Sequence, residues 1–237
     1  MNTKYVATFE PIHNKFNAAV GDNGGNYDLF DYSTAYFDAC LALANKVLQE
    51  GVIVDSVVYP ICYTFRHGVE LFIKYLIDDL GRLAGTWDEY KPGHSLLKNW
   101  KRAKKLLIAI ETEPEDIDFF DKVVKDFDQI DENGMTFRYP ETIDRNPLIK
   151  DLKTINIAII GNNCQGISKI AKTWGRRIYS AMEMAVDNGT LSPAAMRPIS
   201  KRPPTVWWRR FLRFAKDTGC QLMLWGRSRH RPNRRTS

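Results

Sequence analysis

The chain has 237 residues, 44% of them hydrophobic, which is enough for one packed domain and excludes wholesale disorder. No apolar run approaches the ~18–20 residues a membrane span needs, and the start, Met1-Asn2-Thr3-Lys4-Tyr5, has no apolar h-region, so no secretory signal is expected. The net charge of +6 is unevenly placed: residues 191–237 hold 12 Lys and Arg against Asp217 alone, while residues 1–190 hold 22 Lys and Arg against 27 Asp and Glu.

Residues 1–30 read as irregular, with a Gly-Asp-Asn-Gly-Gly-Asn turn at 21–26. A first helix is predicted from Ser33, as N-cap, to Glu50, with Phe37, Cys40, Leu41, Ala44, Val47 and Leu48 on one face and Gly51 ending it. A second is capped by Asp55 or Ser56, tolerates Pro60 near its first turn and ends near Gly85. Its stripe of Val58, Cys62, Phe65, Val69, Phe72 and Leu76 steps by three and four and marks a core face.

A third helix follows Gly93-His94-Ser95, with Leu96, Leu97, Trp100, Ala103, Leu107 and Ile110 on one side and Lys98, Lys101, Arg102, Lys104 and Lys105 around the rest. A fourth begins at a Thr112/Glu115 capping box and buries Ile117, Phe120, Val124 and Phe127. The irregular stretch 131–147 is longer than most connections in compact domains, which points to function or a partner contact. Ile155, Ile157 and Ile159 alternate like a strand, but Ile167, Ile170, Trp174, Ile178, Ala181 and Ala185 keep helical spacing. One long helix over 150–187 is predicted, disturbed at Gly161 and Gly166.

The expected fold is therefore all-α, an up-and-down bundle of four to five main helices over residues 1–190, followed by a basic tail over 191–237. In that tail Val206, Trp207, Trp208, Phe211, Leu212 and Phe214 interleave with Arg209, Arg210, Arg213 and Lys216. Such a helix can lie on nucleic acid, lie on an anionic membrane face, or dock its aromatics on the bundle. Cys40, Cys62, Cys164 and Cys220 form no Cys-x-x-Cys or Cys/His cluster. Neither a metal site, a cofactor nor a disulfide framework is expected, and a reducing cytoplasm is the expected location.

On the second helix Tyr63, His67, Glu70 and Lys74 share one narrow face, roughly opposite the core stripe, flanked by Arg66. A His, a carboxylate, a Lys and an Arg on one face can do acid/base work and hold a phosphate. The bland alternative is a solvated face with a Glu70–Lys74 pair. His94 precedes the third helix, so antiparallel packing could bring it near the second, and Arg138 sits in the long connection before Tyr139.

Three segments carry a resemblance. Phe65-Arg66-His67-Gly68-Val69-Glu70-Leu71-Phe72-Ile73-Lys74 looks like the Arg-His-x-x-Glu-Leu-x-x-Lys segment of many bacterial HEPN-type helical proteins. Gly93-His94-Ser95-Leu96 resembles their Gly-His-x-Leu, and Phe137-Arg138-Tyr139-Pro140 their later Arg-Tyr-Pro; order and approximate spacing agree over residues 33–187. The resemblance implies a bundle that dimerises and acts on or binds RNA or nucleotides. It implies a metal-independent endoribonuclease of toxin or antiphage-defence type, with a partner protein of such a system, or else a non-catalytic module that binds nucleotide, RNA or protein. The catalytic candidates are Arg66, His67, Glu70 and His94, and the substrate-binding candidates are Lys74, Lys101, Arg102, Arg138 and Tyr139. The usual signature of that family, an Arg followed after four to six residues by a His, is absent at His13, His67, His94 and His230. A catalytic site would have to be assembled from Arg66, His67 and His94.

Overall fold

Helix α1 (Leu29–Glu50) starts earlier than Ser33, because Asp28 is the better cap. Its carboxylate accepts from the Phe30 and Asp31 amides, and Asp31 reaches back to the Asp28 amide, closing a capping box. Ser33 instead lies buried inside the helix and donates its hydroxyl to the Phe30 carbonyl. Gly51, at φ 63°, ends α1 by donating to the Val47 carbonyl. The computed structural model describes residues 18, 27–51, 53–87, 89–150 and 152–192. Most of the stretch expected to be irregular at 1–30, and the tail beyond Ser192, lie outside the described residues.

Helix α2 (Val54–Leu83) runs for 30 residues from Ile53, with no side-chain cap from Asp55 or Ser56. Pro60 lies deeper in the helix than the first turn, so its missing amide removes a bond to the Ser56 carbonyl. The predicted stripe is buried from Cys62 to Leu76, with Val58 half-buried. Helix α3 (Leu96–Leu106) is capped by Ser95, continues as a 3₁₀ turn at Leu107–Ala109, and buries Leu96, Trp100 and Ala103. Helix α4 (Pro114–Ile130) has proline at its start, where a missing amide is harmless. The Thr112/Glu115 box does not form, and the N-cap is Glu113, whose carboxylate pairs with Arg177 at 3.0 Å.

Helix α5 (Ile157–Asp187) begins later than residue 150, at an Asn156 cap, and is unbroken for 31 residues. Two of its glycines, Gly166 and Gly175, make room for neighbouring rings. A Cβ at Gly166 would lie 2.7 Å from the Phe119 ring, and one at Gly175 would lie 2.5 Å from the Phe30 ring. The described residues thus form an all-helical bundle in which α2 is central, packing against α1, α3 and α5, while α4 packs on α3 and α5. Trp100, Phe120, Trp174 and Phe72 fill the middle as a chain of near-parallel rings, with Trp100–Phe120 centroids 4.5 Å apart and Phe120–Trp174 5.6 Å apart. Each such ring contributes about 1.5–3 kcal/mol by leaving water. None of the described helices is long and apolar enough to cross a membrane.

Candidate functional site

The polar face of α2 is not a solvated one. Arg66 and Glu70 are 2% and 3% exposed. Two connections cover them: the turn before α3 and the loop after α4. The first is held by Asn99, which donates to the Gly93 carbonyl at 2.9 Å and accepts from the Tyr90 hydroxyl at 2.8 Å. The second is held by Asp131, which accepts the Thr136 amide at 2.9 Å. Between them the Arg66 guanidinium is almost fully engaged. Its Nε lies 3.1 Å from the Asp131 carboxylate, Nη1 lies 2.7 Å from Glu70 Oε2, and Nη2 donates to the His94 carbonyl at 3.0 Å. The planar fork of arginine suits this role and a lysine would not fill it.

Glu70 is the second hub. Its Oε1 accepts from Lys74 at 2.8 Å and faces His94 Nδ1 at 3.1 Å. Burial alone would raise its pKa, but Lys74 and Arg66 outweigh that and hold the carboxyl below its usual range. An ionised carboxylate can only accept, so His94 presents Nδ1–H to it, which in the neutral ring leaves the Nε2 lone pair free. The His94 side chain is 78% exposed, so that nitrogen faces water.

His67 lies one turn from Glu70 but within an aromatic stack. Its ring is parallel to Tyr63 at 5.6 Å and meets Tyr36 edge-on at 4.5 Å. Burial lowers its pKa, Lys74, Arg66 and Arg138 push the same way, and Glu70 opposes them, so the neutral ring is favoured. Arg138 reaches this stack from the long connection, with Cζ 6.0 Å from the Tyr63 ring and 5.3 Å from the Tyr139 ring. That connection carries a small hairpin at 141–147, in which Ile143 is fully exposed.

Arg66, His67, Glu70, Lys74, His94, Arg138 and Tyr139 thus gather around one side of α2. Lys101 is exposed on α3 and, among the described residues, forms no hydrogen bond or ion pair with this cluster. Arg102 is tied to Thr86 Oγ1 at 3.0 Å and Glu89 at 3.3 Å. Sequence reasoning did not single out Asp131 or Gly134, although Asp131-Glu132-Asn133-Gly134 is a turn signal that could have placed them. Among the described residues no group of three His, Cys, Asp or Glu is placed to hold a metal ion. A hollow of about 270 Å³ lies elsewhere, lined by Cys62, Phe127, Ile130, Phe137 and Ile155 among others. No protein-family model, curated protein or solved structure matches the chain.

Proposed function

We propose that the chain is an RNA-directed protein of HEPN type that cleaves RNA without a metal, through His67 and His94. The observation that carries the reading is the Glu70–His94 contact: a buried, ionised carboxylate aims an exposed imidazole outward. Neutral His67 takes the proton from a ribose 2′-hydroxyl, whose oxygen attacks phosphorus. The bond from phosphorus to the 5′-oxygen breaks, a 2′,3′-cyclic phosphate forms, and His94, oriented by Glu70, delivers a proton to the leaving oxygen. Lys74 and Arg138 offset charge at phosphorus. Arg66 positions these groups instead of touching substrate, since its N–H groups are engaged.

The resemblance adds the expectation of a dimer and of a toxin or antiphage role in the cytoplasm. Incubating RNA with His67→Ala and His94→Ala, and melting the same proteins, tests the reading. Cleavage should fall about 10²–10⁴-fold in each. Unchanged cleavage in both folded variants overturns it.

A second reading, a non-catalytic module binding RNA or nucleotide, is favoured by one observation. The only arginine next to His67 on α2 is already saturated by protein groups. Binding without cleavage by the unaltered protein would establish it.

A further inference from the structure

Tyrosines recur one helical turn apart on the two helices beside the polar cluster. Tyr32 and Tyr36 stand on α1; Tyr59, Tyr63 and His67 stand on α2. The columns meet where the Tyr36 ring touches His67, with centroids 4.5 Å apart, and His67 lies parallel to Tyr63 at 5.6 Å. Tyr32, Tyr59 and Tyr139 are 56%, 45% and 45% exposed, so these rings add little to the core.

Arg138 joins the strip from the long connection. It lies over the Tyr63 and Tyr139 rings and its Nη2 donates to the Tyr139 hydroxyl at 3.3 Å. Among the described residues no carboxylate forms an ion pair with it. The neighbouring Glu70 is already neutralised by Arg66 and Lys74. The strip therefore offers flat ring faces and uncompensated positive charge together. A ligand that satisfies both has its own ring faces and a regularly spaced anion. Duplex RNA hides its base faces in the stack, whereas a single strand presents them.

We propose that Tyr32, Tyr36, Tyr59, Tyr63, His67, Arg138 and Tyr139 form a stacking strip for the unpaired bases of single-stranded RNA, a role that rests on the RNA-directed reading above. The strip holds the strand beside Glu70 and His94, and Arg138 meets its phosphates.

The test is fluorescence anisotropy on the full chain with a labelled 2′-O-methyl oligouridine, which lacks the attacking hydroxyl, and with an RNA duplex of the same length. Tyr32→Ala, Tyr59→Ala, Tyr139→Ala and Arg138→Gln are compared, with melting and light scattering on each. Losing an exposed ring should weaken single-strand binding roughly five- to a hundredfold, with duplex binding and melting unchanged. If the unaltered protein binds single strands and all four variants match it, the strip is wrong and the RNA reading survives. Equal losses for single strand and duplex in the three tyrosine variants overturn the strip as a base reader; Arg138→Gln, which removes a phosphate contact, should weaken both. No binding of either RNA by the unaltered protein overturns both proposals. A drop in mass on substituting a tyrosine shows a subunit interface and overturns the strip.

Discussion

Gly134 lies against the guanidinium of Arg66: a Cβ added there would stand 2.9 Å from Nη1, and the backbone sits at φ +76°. The turn after α4 is therefore shaped to close over a buried charge. Gly134→Ala meets both a strained backbone and a crowded guanidinium, and should destabilise the protein by about 1 kcal/mol or more. Arg66→Met should cost more, about 3–5 kcal/mol, because it leaves Glu70 and Asp131 buried without their partner. Urea denaturation of both variants checks the order.

The same pair shows what the sequence could and could not tell. Helical spacing alone identifies the core from Cys62 to Leu76, because the period of an α-helix is visible in the chain itself. The burial of Arg66 and Glu70 was not legible, since it comes from turns distant in sequence that fold over α2. Spacing says that Arg66 and Glu70 share a side; only the contacts with Asp131 and His94 say that this side is covered. Caps failed for a related reason. Asp28, Thr112 and Ser33 are all competent capping residues, and the sequence alone does not rank them; Asp28 caps α1 through its box with Asp31, and α4 starts at Glu113.

Asp79 gives a pH dependence of opposite sign to that of most carboxylates. It is buried on α2 with Oδ1 unpartnered among the described residues; burial and then Asp28 raise its pKa to about 7, against Arg82 and a hydrogen bond from Tyr75. In the unfolded chain it ionises near the ordinary value of about 3.9. Stability is therefore lost as pH rises from about 4 to about 7, each pKa unit being about 1.4 kcal/mol. Asp79→Asn should stabilise the protein at pH 8 and do little at pH 4, as read by melting at both. Equal effects at the two pH values would refute the assignment.

Cys62 is buried and its thiol is pushed up to about 12 by burial and by Cys40. Only the thiolate reacts, so native Cys62 should resist a maleimide at pH 8. Its labelling, followed by peptide mass spectrometry, should track global unfolding in urea. Rapid labelling in the native protein would show that α2 opens locally.

Helix α5 ends with Thr190 and Leu191 folding back on the Ala185 carbonyl, so a chain stopped at Ser192 keeps its cap. Removing 193–237 takes away 12 of the 34 Lys and Arg and a single acid, Asp217, while leaving the described helices whole. Melting should be unchanged, and RNA affinity should fall with a shallower salt dependence, by about 0.7 in log–log slope for each lost contact to a single strand. A shortened chain with full affinity at every salt concentration removes the tail from RNA binding. One that cannot fold would show that the Trp207-Trp208 segment belongs to the core.

His67→Phe separates the structural role of the ring from its chemical one. Phenylalanine keeps a flat ring between Tyr36 and Tyr63 but cannot titrate. Burial and the neighbouring cations lower the folded pKa of His67, so the unfolded chain takes up its proton first, near pH 6.5. The neutral ring is fully accommodated above that pH, and stability is lost as pH falls through 6.5 towards the folded pKa. The variant should therefore melt like the unaltered protein at pH 8 and lose less stability between pH 6.5 and 5. If His67 is the base for the 2′-hydroxyl, the same variant should bind a 2′-O-methyl strand normally yet cleave unmodified RNA about 10²–10⁴-fold more slowly. Lys101→Ala, by contrast, lies off the cluster and should leave cleavage at saturating RNA unchanged. Normal cleavage by folded His67→Phe would take the proton-transfer role from His67 and leave it as part of the aromatic stack alone.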